Sequence, residues 1–452
     1  MSPLKDRETA ERIAKLAAEA GGRAYYVGGC VRDGLMGRPV KDLDIEVHGL
    51  APDELWHILE QIGEPTAHGK SFGVYGLRHT GLDIAMPRKE RQVGSGHRSF
   101  EVDVNPFLGT KEAARRRDFT INALMKDVLT GEVLDFYGGR EDMALGILHC
   151  VDERHFGEDP LRVLRAAQFA ARFGFSVEER TVEICRAIDL SQLSRERVEE
   201  EMKKALLQAE KPSVFFEVLR GMGQLSPWFA ETEALIGVPQ DPLYHPEGDV
   251  WVHTMEVLDR AAGLRAQAEQ PYAFMLLALC HDFGKAVTTA EKNGRIHAYG
   301  HETEGLPLVE GFLQRICGEN EVRRYVRDMV PLHMRPNLAA WAKPSVKSTN
   351  HLFDEAVSSE DLILFAQADR PVFAGSEAFS GDGAFLRERL HVYRETMSRP
   401  FVEGKDLIAA GLSPGPAFTE LLAFAHKLRL AGIDKESALK QTLAMARKLE
   451  KR

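Results

Sequence analysis

YYVGGCVRDGLMGRPVKDLDIE, residues 25–46, decides how this chain is read. It opens on a strand, breaks at Gly28-Gly29, continues as a short helix carrying Arg32, and ends in a second strand carrying Asp42 and Asp44. Glycine lets a backbone approach phosphate closely, and a helix N-terminus favours negative charge. Arg32, on the first helical turn, can reach a phosphate oxygen. Residues i and i+2 of a strand point to one side, so Asp42 and Asp44 share a face. Paired carboxylates repel unless a cation lies between them, and Mg²⁺ prefers oxygen ligands. The first half of the stretch therefore predicts a triphosphate site and the second half a metal site. Each signal also has a plain reading, as a tight turn or as a chance DxD on a surface strand.

The flanks extend this pattern. Ile13, Leu16 and Ala17 recur at helical spacing within residues 5–20, and 51–62 reads as a helix with Pro52 in its first turn. Residues 73–78 and 81–86 alternate as strands. Asp83 lies between apolar neighbours there, so it is expected as a buried acid that completes the carboxylate cluster. Residues 87–107 are polar and predict a long mobile loop. From Glu158 onward helical patterns follow one another, with Pro/Gly-rich breaks at 237–248 (a linker), 373–383 and 411–416. The expectation is an α+β protein, with a mixed β-sheet in the head and all-α domains behind it. Domains are expected at 1–140, 141–236, 237–375 and 376–452.

Composition narrows the class. The 452 residues predict several domains, and 44% hydrophobic with 28% charged content is ordinary for a globular chain. A net charge of −10 argues against an indiscriminate nucleic-acid coat but leaves room for local basic stripes, at 111–117 and in the last thirty residues. No apolar run approaches the roughly 18 residues of a membrane span. The charged, amphipathic N-terminus lacks a signal-peptide core. Five scattered cysteines without a CxxC fit a reducing cytoplasm and exclude a zinc-cysteine site.

Downstream residues add chemistry. Asp159 and Arg162 are three apart on a helix expected over 158–175, so an acceptor stands beside a donor. Such a pair can read the edge of cytosine or adenine, whose exocyclic amine donates to the carboxylate. The plain alternative is a helical ion pair. His253, His281-Asp282 and Asp369 lie on three apolar helices, where metal ligation explains buried polar groups. His301 and His333 are candidates for a second metal or a phosphate contact. Lys427, Arg429, Lys440, Arg447 and Lys448 give the tail a basic face that can track RNA phosphates, or simply a solvated one.

Together these residues resemble the nucleotidyltransferase superfamily, specifically class II CCA-adding tRNA nucleotidyltransferases and bacterial poly(A) polymerases. The resemblance is carried by Gly28-Gly29-Cys30-Val31-Arg32-Asp33, Gly37, Asp42-Leu43-Asp44 and the segment Arg116-Arg117-Asp118-Phe119-Thr120-Ile121-Asn122-Ala123. It continues through Glu158, Asp159, Arg162 and Arg165 of an EDxxR motif, and through Glu196, Arg197, Glu201 and Lys204, read as scaffolding. It departs at Gln168, where many members have arginine. It implies a nucleotidyltransferase palm, a helical neck or body, an HD phosphohydrolase domain and a tRNA-binding tail that includes 401–416. It further implies catalysis at Asp42, Asp44 and Asp83, with two Mg²⁺ ions held by Asp42 and Asp44. Gly28, Gly29, Arg32, Arg116, Asp159, Arg162 and Arg165 would bind CTP and ATP. The loop 87–107 would help switch from CTP to ATP. The HD ligands would hold a divalent transition metal for phosphatase or 2′,3′-cyclic phosphodiesterase activity. The substrate would be the tRNA 3′ end, in the cytoplasm, with pyrophosphate released. Rival readings are a poly(A) polymerase, which residues 69–74 disfavour, an enzyme adding A alone, and a metal phosphohydrolase with a degenerate RNA-binding head.

Overall fold

Alternating apolar residues build the first sheet. The strands are β1 (Arg23–Val27), β2 (Leu43–His48), β3 (Pro65–Ala67), β4 (Val74–Leu77), β5 (Leu82–Ala85), β8 (Met125–Asp127) and β9 (Val133–Leu134), with β6 (Arg88–Gln92) and β7 (Phe100–Val104) as a separate hairpin. The computed structural model describes residues 3–40, 42–67, 73–92, 100–370 and 380–449. The sheet order is β3-β4-β5-β2-β1-β8-β9. Only β2 and β5 pair in parallel, and the other neighbours are antiparallel. The mixed sheet followed by helices is the α+β architecture expected.

Helices cover the sheet where the sequence is amphipathic. Ile13 and Ala17 of α1 (Pro3–Glu19) and Leu55 and Leu59 of α3 (Pro52–Glu60) join Ile45, Val47 and Ile84 in one buried cluster. Tyr25, Val27 and Met125 form a second cluster with Ala114 of α4 (Thr110–Arg115). Between β1 and β2 lies α2 (Gly29–Leu35), the helix expected after the glycine turn. Next come α5 (Gly139–Leu145), α6 (Leu161–Phe173), α7 (Glu179–Arg186) and α8 (Arg195–Gln208).

The chain divides into two compact units, Met1–Ala209 with Val214–Trp228, and Glu210–Ser213 with Phe229–Arg452. Among its described residues, the hairpin Ala290–Lys292/Arg295–His297 is the one strand pair of the second unit, and its other elements are helices.

Four local expectations are corrected. Within 87–107, residues 88–92 and 100–104 pair as antiparallel strands, with Arg88 opposite Val104 and Gln92 opposite Phe100. The alternation in FEVDV was hidden by its charged partner strand. Residues 93–99, and the segments 69–72 and 373–379, lie outside the described residues. Asp83 is exposed while Leu82 and Ile84 are buried, because the strand period turns it to the open side. The helix expected from 158 begins at Leu161, since Pro160 suits a helix start and Asp159 precedes it in an extended conformation. The Pro/Gly-rich segment 237–248 is tied down rather than free: Val250 N donates to Val238 O at 3.0 Å and Gly237 N to the Asp249 carboxylate at 2.7 Å.

Candidate active sites

The head site starts from backbone. Gly28 takes a φ of 66°, which favours glycine, and caps α2. A Cβ on Gly28 would lie 3.3 Å from Arg117 Nη1, and one on Gly29 would lie 3.5 Å from Arg32 Nη2. Two guanidiniums thus flank a bare turn at a helix N-terminus. The turn lines a cleft of about 510 Å³ with Arg32, Asp44, Arg116, Asp159, Arg162 and Arg165.

Buried partners fix these cations. Arg32 is 5% exposed, donates Nε–H to Asp33 at 2.8 Å and Nη1–H to Asn122 at 2.5 Å. Asn122 in turn donates to Asp118 at 2.9 Å, and Asp118 accepts from Arg165 at 2.6 Å. Burial would raise the Asp118 pKa, but Arg165 and the Asn122 hydrogen bond hold it low. Glu46, 1% exposed, accepts from Arg116 at 3.0 Å and lies 3.6 Å from Arg117. Burial works against its ionisation, yet the His48 hydrogen bond and the two arginines hold it down to about 2.

Asp44 lines the cleft, and Asp83 stands abreast of it on the neighbouring strand, β5 beside β2. Asp42 sits just before β2 and is exposed. Burial raises the Asp44 pKa first, Asp83 and Asp42 add to the rise, and Arg117 opposes it. A carboxylate cluster that repels itself is a donor set suited to hard divalent cations.

Asp159 and Arg162 do not form the helical ion pair that was the plain alternative. Asp159 faces Arg197, whose Nη2 lies 2.9 and 3.0 Å from its two oxygens. Arg162 donates to the carbonyls of Arg116 at 2.8 Å and His155 at 2.9 Å. Each is oriented by a partner of its own, and both line the cleft.

The second site is a set of buried imidazoles. His253, His281, His301 and His333 are each 5% exposed or less. Every Nδ1 faces an acceptor: Glu247 at 2.7 Å, Ala278 O at 3.0 Å, Ala298 O at 2.8 Å and Val330 O at 2.7 Å. That puts the proton on Nδ1 and turns each Nε2 inward, the pattern of metal-ligating histidines. His253 Nε2 and Asp369 are 3.2 Å apart, His281 Nε2 and Asp369 3.4 Å, and His281 Nε2 and Asp282 3.2 Å. Ligands about 2.1 Å from one metal stand roughly 3.0–3.4 Å from each other, so these edges fit a shared ion. Asp282 also faces His301 at 3.2 Å, which sits 3.2 Å from His333, a second group able to hold an ion. His281 Nε2 and both Asp282 oxygens are buried without a well-formed hydrogen bond, although Lys285 Nζ lies 2.7 Å from one of them. Burial would raise the Asp282 and Asp369 pKa values, but the cationic form of His281 and Lys285 beside Asp282, and hydrogen bonds from His253 and His281 to Asp369, hold both well below the usual carboxylate range. Gly284 makes the cluster possible, since a Cβ there would meet His301 O at 2.0 Å.

Comparison with known proteins gives this geometry its relatives. The Poly A polymerase head domain family matches residues 24–149. The "Multifunctional CCA protein" of Nitrosococcus oceani is 43% identical over 407 residues, covering 88% of this chain and 95% of the relative. The chain belongs to the multifunctional CCA protein family. The "Multifunctional CCA protein" of Actinobacillus pleuropneumoniae serotype 5b is 38% identical over 327 residues, covering 71% of this chain and 77% of that one. Among solved structures, the Bacillus stearothermophilus CCA-adding enzyme in complex with CTP covers 100% of both chains with a TM-score of 0.68 and 22% identity. The Thermotoga maritima CCA-adding enzyme complexed with tRNA covers 99% of this chain and 96% of that one, with a TM-score of 0.64 and 21% identity. Both share the fold of this chain.

Several residues escaped the reading from sequence. Arg117, Asp118 and Asn122 stood inside a quoted motif without a role, and the structure brings all three to the cleft. Arg197 and Lys204, read as scaffolding, reach Asp159 and the cleft wall. Glu247 and His245 lie in the supposed linker, with His245 Nδ1 2.9 Å from the Glu247 carboxylate that orients His253. In this member of the multifunctional CCA protein family, Lys427, Lys440, Arg447 and Lys448 are exposed on the last two helices. Arg429 turns inward instead, 4.0 Å over the Phe401 ring and donating to Met397 O.

Proposed function

We propose that this protein adds CCA to the 3′ end of tRNA, using CTP and ATP without a nucleic-acid template and releasing pyrophosphate. One observation carries the reading: the glycine turn with its two guanidiniums, Asp44, and the Asp159–Arg162 pair all line one cleft. Asp42 and Asp44 would hold two Mg²⁺ ions, with Asp83 completing the carboxylate set. When bound, such ions supply charge neutralisation at the α-phosphate and activation of the tRNA 3′-hydroxyl. Gly28, Gly29, Arg32 and Arg117 cradle the phosphates, and no proton transfer is asked of them. Arg116 and Arg165 would bind the nucleotide from the same wall, held there by Glu46 and Asp118. Asp159 accepts from the exocyclic amine of cytosine or adenine, while Arg162 donates to the ring acceptors. Uracil and guanine present a carbonyl where the amine is needed and are rejected.

The four expected parts are kept as palm 1–140, neck 141–236, HD domain 237–375 and tail 376–452. The HD domain would hold a divalent transition metal through His253, His281, Asp282 and Asp369, with His301 and His333 beside it, and hydrolyse phosphate monoesters or 2′,3′-cyclic phosphates. Lys427, Lys440, Arg447 and Lys448 would track tRNA phosphates, with Arg429 shaping their helix. Free cysteines support a cytoplasmic setting.

The test offers tRNAs lacking CCA, lacking CA and lacking only the terminal A, with CTP and ATP separately and together. The expected result is C, C and A added in order and then a stop. A long A tail would assign a poly(A) polymerase, and incorporation of A alone would overturn CCA addition.

A further inference from the structure

One corner of the head cleft is more basic than any partner on the protein explains. Gln168 and Arg172 lie one turn apart on α6 and both line the cleft. Gln168 is 1% exposed. With its amide oxygen turned toward Arg172, it accepts from Nε at 3.3 Å and Nη1 at 3.0 Å. Arg32, Arg38 and Arg172 bring their guanidiniums to 4.7, 4.7 and 5.2 Å from the centre of one ring, Phe173. Arg38 donates to the Arg172 carbonyl, so the cluster is tied together through backbone as well. Arg32 has Asp33 as its carboxylate. Among the described residues no carboxylate lies within ion-pair distance of Arg172. Burial first, and Arg32 next, lower the Arg172 pKa, as expected of crowded like charges. A ring face attracts cations but offsets only part of their mutual repulsion. An anion with several charges would complete the corner.

The direction of the cleft says which anion. Bond breaking belongs at the α-phosphate, beside Asp44, so the β- and γ-phosphates lead away along the glycine turn. Arg32 is common to both regions: it stands against Gly29 at one end and shares Phe173 with Arg172 at the other. We propose that Arg172, aimed into the cleft by the buried amide of Gln168, binds the terminal phosphates of the incoming nucleoside triphosphate and the pyrophosphate that leaves. Gln168 is then a positioning residue, and Arg172 supplies triphosphate affinity without contacting the base. The assignment rests on reading the cleft as a nucleotidyltransferase site.

Calorimetric titration of CTP, CMP and inorganic tripolyphosphate into the full chain tests it, with thermal unfolding as the check on folding. Arg172→Gln is expected to weaken CTP and tripolyphosphate about tenfold, the worth of one good charge-assisted contact, and to leave CMP unchanged. Arg172→Lys should recover part of the loss. Gln168→Leu should weaken the same two ligands by a smaller factor, because the guanidinium survives but loses its guide. Equal weakening of CTP and CMP, or CTP affinity that does not move in folded Arg172→Gln, overturns the assignment. Failure of the underlying reading would look different: the unmutated protein would neither extend tRNA nor prefer CTP over CMP.

Discussion

Glu46 is a buried carboxylate whose role is to hold cations in place. It sits on β2 among apolar residues, and both Arg116 and Arg117 lean on it. Its pKa falls from the ordinary 4.5 to about 2, so the folded state binds its proton less tightly than the unfolded chain. Stability from Glu46 is therefore fully present above pH 4.5 and is lost as the pH falls toward 2. Glu46→Gln should lower the unfolding free energy of the head by at most about 3 kcal/mol at neutral pH. In denaturant titrations at stepped pH, the gap between parent and variant should close between 4.5 and about 2. A gap of constant size across that range would show that Glu46 acts by shape alone. The sequence offered only an acid in a strand here, since both arginines lie about seventy residues away and the pairing exists only after β1 and β2 have met. Asp159 teaches the same lesson. Its position was legible from the EDxxR pattern, but its partner Arg197 was not, because propensity and spacing see three or four residues and not thirty-eight.

Elements were legible where one period ran long enough. The amphipathic spacing in α1 and α3 and the alternation in β1, β4 and β5 gave the expected segments. The hairpin β6–β7 was missed because a charged strand carries no apolar alternation of its own and is defined by its partner. The turn after the helix Pro271–Cys280 shows how an element is placed by what it lacks. Gly284 leaves room for the carbonyl of His301, so the short helix His301–Glu304 docks directly against it. Gly284→Ala would put a methyl group 2.0 Å from that oxygen and 2.8 Å from its carbon. Overpacking against backbone costs about 1–3 kcal/mol or more. The variant should unfold at lower denaturant in its second unit and bind divalent metal more weakly in equilibrium dialysis. Unchanged metal uptake would show that His301 is placed independently of Gly284.

At the scale of the whole molecule, the two candidate sites are built from separate residues in separate compact units. Asp42→Ala is expected to abolish nucleotide addition and spare hydrolysis of a 2′,3′-cyclic nucleotide. His281→Ala should do the reverse, with its loss of hydrolysis matched by loss of bound metal. Both assays on both folded variants check this, and loss of both activities in Asp42→Ala would contradict independent sites. The residues of both candidate clusters were legible in the chain, because each gathers chemically conspicuous side chains in order. What could not be read was support at a distance, such as Glu247 behind His253 or Asn122 behind Arg32.

The parallel pairing of β2 with β5 sets Asp44 opposite Asp83, with Leu43 opposite Leu82 and Ile45 opposite Ile84. The gauge between the two carboxylates is then the backbone ladder itself, about 4.8 Å from strand to strand. Side chains throughout the core can drift without stretching that ruler. A slip by a single notch is another matter: it would turn Asp83 into the apolar layer and drive Leu82 and Ile84 into water. The greasy neighbours of Asp83 thus act as a detent, and the spacing of the head's carboxylates is guarded by residues that never touch a nucleotide.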